Sequence, residues 1–484
     1  MRHLACMLLG IAAACSGPKA TTAPAGSSSA ARIARIERGL LPAVEVRGED
    51  HRRALVERMR ELKIPAIAIA VFDRYELQWT KAYGLADAEA GAPATEDTVF
   101  LAGSISKSVN ALAALKAVAD GTLALDAPIN DALTSWKLPD NELTRAAPVT
   151  LRRLLSHTAG TTVHGFPGYA AGAPLPTIVQ ILDGAPPANT PEIRVDLAPG
   201  TKFRYSGGGI TIVQLALVDR TRRPYPDLLR DRVLAPVGMT RSTFAQQPPP
   251  ATAAVGYGAD GKPIPGKRNA YPEMAAAGLW TTPADLARFF LELGRARAGQ
   301  SRLISRELAT QMTTPVAEVE PGASVGLGVF VTDRNGTKVF GHGGADAGFQ
   351  ADATASLDGG FGVVVMANSE NGFQIFDEIE RAVFAEYGWP GRDEPVVRVA
   401  IDPARLLGRY AYEGQPLEIA QGARLELRRP FTDPVELVPI APDTVVALDD
   451  GTRYRLAADG GALEAKHPRR GRRTAARLAD GARL

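Results

Sequence analysis

The stretch Phe100-Leu-Ala-Gly-Ser-Ile-Ser-Lys-Ser108 decides the fold, because the rest of the chain is organised around its two functional side chains, Ser104 and Lys107. Apolar residues then recur at helical spacing, at Val109, Leu112, Leu115 and Ala119. This pattern predicts a helix that begins near Ser104, with the ammonium of Lys107 on the same face as the serine hydroxyl. N–H groups in the first turn of a helix lack helical partners and favour negative charge. Ser104 is therefore a candidate nucleophile with a base beside it, although Ser-x-x-Lys also occurs by chance in many chains.

Composition restricts the classes of function. The chain has 484 residues, 45% of them apolar and 22% charged, which is ordinary for a globular protein of two or three domains. A formal charge of +2 argues against nucleic acid as the main partner. The two cysteines, Cys6 and Cys15, both precede the folded body, which excludes disulfides, cysteine-ligated zinc and a cysteine nucleophile there. No histidine pair has helical metal-site spacing, and we expect no metal and no cofactor.

The N-terminus predicts export. Residues 1–15 combine a basic start, an apolar run too short to span a bilayer and small residues before a cysteine. This arrangement resembles a bacterial lipoprotein signal, which implies cleavage before Cys15, lipidation of that cysteine and a location in the bacterial cell envelope. A plain secreted protein is the alternative. Residues 16–45 read as a flexible tether rich in Ala, Ser, Thr, Gly and Pro, and the lipid anchor would be the only membrane contact.

The remaining chain predicts two folded units. A helix and hairpin come first, the middle region is helical, and residues 325–367 contain four strand-like segments, the first of them at residues 325–331. The simplest architecture is α+β: an antiparallel sheet flanked by helices with an all-α insertion, over residues 46–392. Short strands at close spacing predict a small β-barrel-like domain over residues 402–466. Residues 467–484 are arginine-rich and read as a solvated basic tail.

Two further motifs lead to a resemblance. Tyr205-Ser-Gly207 precedes a predicted helix, and His342-Gly-Gly344 lies between two predicted strands. With the Ser104 stretch, they resemble the serine β-lactamase and penicillin-binding-protein superfamily, in its class C, esterase and D-aminopeptidase branch. Residues 151–160 and 276–289 resemble other segments of that branch, so the likeness covers about residues 49–387.

The resemblance implies roles for individual residues. Ser104 would be acylated, while Lys107 and Tyr205 would share its proton, and the sequence leaves open which of them starts deprotonated. The N–H groups of Ser104 and Ala345 would bind the oxyanion. His342 would line the pocket and donate a hydrogen bond to the substrate or to Tyr205. The two glycines after it, Gly343 and Gly344, would let the substrate approach the strand closely.

Two departures from the family pattern bear on the substrate. Gly207 stands where the family has an asparagine that holds the acylamide group of a β-lactam, and His342 replaces a charged lysine. We therefore expect a serine hydrolase acting on a small-molecule carboxylic ester or on a peptide or amide, of the esterase or D-peptidase type. One alternative is a true β-lactamase or a penicillin-binding DD-peptidase that takes β-lactams. The other is a scaffold or sensor module at the cell envelope, which binds or is acylated without turnover.

Overall fold

The computed structural model describes residues 28–247, 251–430, 433–467 and 471–479. The predicted leader and Cys15 lie outside these residues, so lipidation and export stay predictions. Among the described helices, none combines the length and the apolar character needed to cross a bilayer.

The first folded unit has three layers, with helices on both faces of a sheet. Its strands are β1 Ala66–Asp73, β2 Glu76–Asp87, β3 Ala92–Pro93, β4 Phe100–Leu101, β5 Trp280–Thr281, β6 Ala317–Glu320, β7 Ala323–Val325, β8 Phe330–Arg334, β9 Thr337–Asp346, β10 Phe349–Ser356 and β11 Gly362–Ala367. Within the described residues, nine strands form an antiparallel sheet in the order β3-β2-β1-β11-β10-β9-β8-β7-β6, while β4 pairs with β5. This is the predicted α+β architecture.

The interior strand β1 shows why helices cover both faces of the sheet. Successive side chains of a strand point to opposite faces. In β1, Ala68, Ala70 and Phe72 enter one apolar cluster, whereas Ile69 and Val71 enter another on the opposite face. A strand that is apolar in both directions requires cover on both sides.

The helices supply that cover. They are α1 Ser29–Arg38, α2 Leu55–Glu61, α3 Ser106–Ala119, α4 Glu142–Ala146, α5 Leu151–Leu155, α6 Ile178–Asp183, α7 Gly207–Thr221, α8 Tyr225–Leu229, α9 Ala235–Val237, α10 Met274–Ala277, α11 Pro283–Arg297, α12 Arg306–Thr313 and α13 Phe373–Tyr387. A π-helical turn, Arg230–Leu234, joins α8 to α9, and 3-10 turns lie at Gly103–Ile105, Ile129–Asp131 and Pro403–Arg405. Helix α3 is largely enclosed, with eleven of its fourteen residues buried, and it places the Ser104 turn between the sheet and the helical insertion.

Helix α1 corrects the predicted tether over residues 16–45. Ser28 caps the helix, and Ile36 is buried against the cluster that contains α13. Arg35 forms an ion pair with Glu386 at the end of α13. The apolar residues Ile33, Ile36 and Leu40 have helical spacing, which the Ala- and Ser-rich composition before them obscured. The described part of the predicted tether, from residue 28 onward, is therefore part of the folded unit.

The strand predicted at residues 325–331 is also wrong, because Gly328 adopts φ +83° in a turn between β7 and β8.

The C-terminal unit is a closed barrel. Its strands are β12 Gly408–Tyr412, β13 Gln415–Gln421, β14 Leu425–Arg428, β15 Val435–Ala441, β16 Thr444–Ala447, β17 Arg453–Leu456, β18 Ala462–His467 and β19 Gly471–Arg477. Within the described residues, these eight strands pair in sequence order and β19 closes on β12.

Strand β19 corrects the predicted basic tail over residues 467–484. Ala475 points into the barrel and is fully buried, whereas the Arg473 side chain is exposed and forms an ion pair with Glu413. Arg477 lies over the Tyr410 ring at 5.5 Å and donates to the Gly460 carbonyl at 3.1 Å. Within the described residues 472–479 only Ala475 is buried, so the segment lacks the apolar alternation of a strand and its arginines make it resemble a disordered charge run.

Removing β19 tests this correction. We expect a chain that ends at residue 470 to lose the barrel, because both β12 and β18 would lose their partner strand. Limited proteolysis should then cleave within residues 402–467, while a chain that ends at Ala479 should resist. Equal resistance of the two chains would show that β19 is dispensable.

Candidate active site

Ser104 and Lys107 lie together where the Gly103–Ile105 turn continues into α3. The Lys107 Nζ is 2.9 Å from the Ser104 Oγ and donates to the Ala276 carbonyl oxygen at 2.7 Å. Lys107 is only 2% exposed, whereas Ser104 is half-buried and reaches the surface of the cleft. The structure thus places a hydroxyl on the cleft surface with an amine beneath it.

Strand β9 presents an open edge beside Ser104. Strand β8 pairs with β9 only through Gly341, so the following residues have no neighbour on that side among the described strands. Asp346 and Phe349 pair across a two-residue turn, and hydrogen-bonded and non-hydrogen-bonded pairs alternate along such a ladder. The Ala345 N–H therefore points away from β10 and toward the open edge.

Two close backbone contacts bring that edge to the serine. A Cβ on Gly103 would lie 2.6 Å from the Ala345 nitrogen. A Cβ on Gly344 would overlap the Ala102 carbonyl oxygen and lie 3.2 Å from the Ser104 nitrogen. The Ser104 and Ala345 N–H groups are consequently neighbours, as an oxyanion site requires. The neighbouring Gly343 faces the other way, and a Cβ there would make only ordinary contacts.

Tyr205 lies over the same lysine, inside a group of rings. Its ring centroid is 5.0 Å from the Lys107 Nζ, 4.4 Å from the His157 ring and 4.8 Å from the His164 ring. The His157 Nδ1 accepts a hydrogen bond from the Ser206 N–H at 3.2 Å, so the proton of the neutral ring is on Nε2. Burial lowers the pKa of His157 well below its usual value, and the charge of Lys107 adds to this effect. His157 is therefore a neutral support for the Tyr205 segment.

His342 is a hydrogen-bond acceptor, which corrects the predicted donation. Its Nδ1 is 2.5 Å from the Gly343 carbonyl oxygen, and because a carbonyl only accepts, Nδ1 carries the proton. The Nε2 is buried, and no described residue bonds to it. Burial, assisted by the charge of Lys107, lowers the pKa of His342 to about 3, so the ring is neutral at physiological pH. Its Nε2 lone pair is left to accept a hydrogen bond.

Gly207 shapes the cleft through its missing side chain. It is the first residue of α7, and its N–H donates to the His164 carbonyl at 2.9 Å. A Cβ there would lie 3.0 Å from the Phe166 ring and 3.1 Å from the His164 oxygen. The loop that carries His164 and Phe166 thus fills the space of a longer side chain. The sequence reasoning missed His164, since nothing in its unpatterned Gly- and Pro-rich loop marks it.

Two carboxyl groups that the sequence reasoning also missed interact with each other, and Asp346 also interacts with Lys107. Glu273 directly precedes α10, and Asp346 directly follows Ala345. Burial raises the pKa of Glu273 to about 7. Burial also raises the pKa of Asp346 well above its usual value, with Glu273 adding to the increase and Lys107 opposing it. Neither residue has a motif spacing, although Asp346 lies next to the predicted oxyanion donor.

Across the described part of the chain, no group of His, Cys, Asp or Glu has the arrangement of a metal site.

Comparison with known proteins identifies a family model and several relatives that match this chain. The β-lactamase family model matches residues 51–386. Penicillin-binding protein 4 of Amycolatopsis lactamdurans is 28% identical over 376 residues, which cover 73% of this chain and 95% of that protein. Esterase EstB of Burkholderia gladioli is 31% identical over 215 residues, 41% of this chain and 51% of the esterase.

Two further matches extend the comparison. A D-aminopeptidase of Cereibacter sphaeroides is 28% identical over 304 residues, 60% of this chain and 54% of that enzyme. The chain thus spans about half the length of the esterase and of the aminopeptidase. The solved structure of an octameric penicillin-binding protein homologue from Pyrococcus abyssi aligns with a TM-score of 0.58 at 22% identity, covering 87% of this chain and 98% of that one.

Gly344→Ala tests the contact between β9 and the serine turn. The added methyl would overlap the Ala102 oxygen and push the Ala345 N–H away from Ser104. We expect kcat for a nitrophenyl ester to fall roughly 10²–10³-fold, the loss typical of one oxyanion donor. Gly294→Ala in α11 is the control, since its Cβ would meet only a Tyr75 ring carbon at 3.7 Å. Wild-type turnover in Gly344→Ala would contradict the assignment.

Glu273→Gln tests the burial of the carboxyl. The folded state keeps a proton between pH 4.5 and about 7 that the unfolded chain releases. The contribution of the protonated Glu273 to the free energy of unfolding is complete below pH 4.5 and is lost as the pH rises through 7. Between pH 5 and pH 8 we expect the wild type to lose about 2 kcal/mol of unfolding free energy relative to Glu273→Gln. Urea denaturation at both pH values measures it, with exposed Glu57→Gln as control, and a difference independent of pH would refute the prediction.

Proposed function

We propose, from the premise that this chain belongs to the β-lactamase family and is a serine hydrolase, that it cleaves carboxylic esters or peptide amides through an acyl-enzyme. Ser104 is the proposed nucleophile. The observation that carries the proposal is the 2.9 Å contact between the Ser104 Oγ and the Lys107 Nζ, beside the N–H groups of Ser104 and Ala345.

The proposed reaction uses these groups in turn. Lys107, held by the Ala276 carbonyl, and Tyr205 share the proton that Ser104 loses as Oγ attacks the substrate carbonyl. The Ser104 and Ala345 N–H groups bind the oxyanion. Tyr205, over the same amine, is the second carrier that passes the proton to the leaving group. Water then hydrolyses the acyl-enzyme and frees Ser104.

The preference for esters and amides over β-lactams rests on two positions. At Gly207 the space for an amide side chain is filled by Phe166 and His164. At His342 the ring is neutral, so it offers a substrate carboxylate no permanent positive charge. Similarity to an esterase and to a D-aminopeptidase is in line with this preference. A penicillin-binding activity is the second candidate, because that relative matches over 95% of its length.

A substrate panel on the wild type and Ser104→Ala tests the proposal. We expect the wild type to hydrolyse nitrophenyl acetate or an alanine amide faster than a chromogenic cephalosporin. Ser104→Ala should lower every rate by at least ~10³-fold, since the acyl-enzyme forms on the Ser104 hydroxyl. Fast cephalosporin turnover without ester or amide hydrolysis would reverse the ranking. An acyl adduct that mass spectrometry finds stable for hours would favour the sensor alternative.

A further inference from the structure

His157 lies against Tyr205, yet the proposed reaction gives it no part. The residue follows α5 and is only 3% exposed. Its backbone has φ +54°, in the left-handed region that histidine and asparagine adopt more readily than most residues with a side chain. This conformation leaves both the carbonyl and the ring of His157 in contact with the segment that carries Tyr205.

Two hydrogen bonds join His157 to the residues on either side of Tyr205. The His157 carbonyl accepts from the Arg204 N–H at 2.8 Å, and the Nδ1 accepts from the Ser206 N–H at 3.2 Å. One residue thus fixes the main chain before and after the tyrosine. Ser206 is only 1% exposed, so its N–H would be left buried and unpaired without the Nδ1 acceptor.

The His157 ring also holds the Tyr205 side chain. The two ring centroids are 4.4 Å apart with a tilt of 32°, and the Phe203 ring meets His157 edge-on at 6.1 Å. A further ring, that of His164, lies 4.8 Å from Tyr205. Packing of this kind restricts the rotation of the tyrosine, which keeps its ring at 5.0 Å from the Lys107 Nζ.

The charge state of His157 suits this role. Only a neutral imidazole has a lone pair on Nδ1 to accept the Ser206 N–H. Burial lowers the pKa of His157 well below its usual value, and the charges of Lys107, His342 and His164 act in the same direction. The hydrogen bond to Ser206 is therefore kept at neutral pH.

The position of Tyr205 matters most when the leaving group needs a proton. As the bond between the carbonyl carbon and an alkoxide breaks, the proton that Ser104 lost passes from the Tyr205 hydroxyl to the departing oxygen. An amide nitrogen has the same requirement, whereas nitrophenolate is stable as an anion and leaves without a proton. Proton transfer depends steeply on the placement of the donor.

We propose that His157 is a positioning residue, which holds Tyr205 where its hydroxyl protonates the leaving group and so extends hydrolysis to alkyl esters and amides. The proposal rests on the proposed acyl-enzyme reaction and adds the residue that controls its leaving-group range. His157 itself touches neither the nucleophile nor the oxyanion donors in this arrangement, and it acts through the Tyr205 segment.

The experiment compares two esters of one acid. Nitrophenyl butyrate and ethyl butyrate share an acyl group and differ only in the leaving group, so the ratio of their kcat/KM values isolates its protonation. We expect His157→Ala to lower the ethyl-to-nitrophenyl ratio at least about tenfold, mainly through kcat for the ethyl ester, since a well-placed general acid contributes roughly 10²–10⁴-fold. A fold that only loosened around residue 157 would slow both esters alike.

Two further variants sharpen the comparison. Asparagine keeps an acceptor near the place of Nδ1 and adopts the left-handed conformation, so His157→Asn should keep a ratio at least about threefold above that of His157→Ala. His51→Ala is the control, because it removes a histidine that bonds to Glu49, which pairs with Arg424 of the barrel. We expect it to keep the wild-type ratio.

A double-mutant cycle tests whether His157 acts through Tyr205. Tyr205→Phe keeps the ring and removes the hydroxyl, so it should lower the same ratio by itself. Adding His157→Ala to Tyr205→Phe should then change the ratio less than about twofold, because the group that His157 positions is already gone. Thermal melts check folding, and His157→Gly, which suits φ +54°, replaces His157→Ala if that variant does not fold.

The outcomes separate this role from the proposed function. An equal loss for both esters in His157→Ala, or a further tenfold loss of the ratio when it is added to Tyr205→Phe, would overturn the positioning role and keep the acyl-enzyme mechanism. Absence of hydrolysis of both esters by the wild type would overturn the proposed function and the positioning role with it.

Discussion

The close approach of β9 to the turn that carries Ser104 is the constraint on which the site depends. Gly344 leaves no room for a Cβ against Ala102, and Gly103 adopts φ +51°, where glycine is favoured, against Ala345. These two glycines place two backbone N–H groups side by side without any side chain between them. A shift of β9 by one residue would insert a side chain into this gap and turn the Ala345 N–H toward β10.

The packing of the core holds this contact in place. Helix α3 packs against α7, α10 and α12, and the turn before it packs against β9 and β10, so most residues of α3 are buried. A buried ammonium needs hydrogen-bond partners, and Lys107 finds them in the Ala276 carbonyl and the Ser104 hydroxyl. The same packing that stabilises the helix therefore aims the lysine at the serine.

Local patterns explain what the sequence predicted and what it did not. The Ser104–Lys107 pair and the α+β architecture follow from spacing and periodicity within single elements, which a sequence displays directly. The positions of His164, Glu273 and Asp346 depend on segments far apart in the chain, so no spacing identifies them. At the two ends of the folded body, amino-acid composition led to wrong predictions of a tether and a basic tail. An alanine- and serine-rich segment contains α1, because a helix needs apolar residues on only one face. An arginine-rich segment contains β19, because its pairing with β12 and β18 uses backbone groups that no side-chain pattern reveals.

The two unpartnered carboxyl groups differ from the structural acid in the same fold. Asp285 is fully buried, yet its oxygens accept from the Arg241 N–H at 2.8 Å, the Ser242 hydroxyl at 2.8 Å and Arg288 at 2.6 Å. An acid that only stabilises a helix start is thus supplied with donors by its surroundings. Among the described residues, no well-formed hydrogen bond reaches the Glu273 carboxyl oxygens or the Asp346 Oδ2, and the burial of Glu273 weakens the fold as the pH rises.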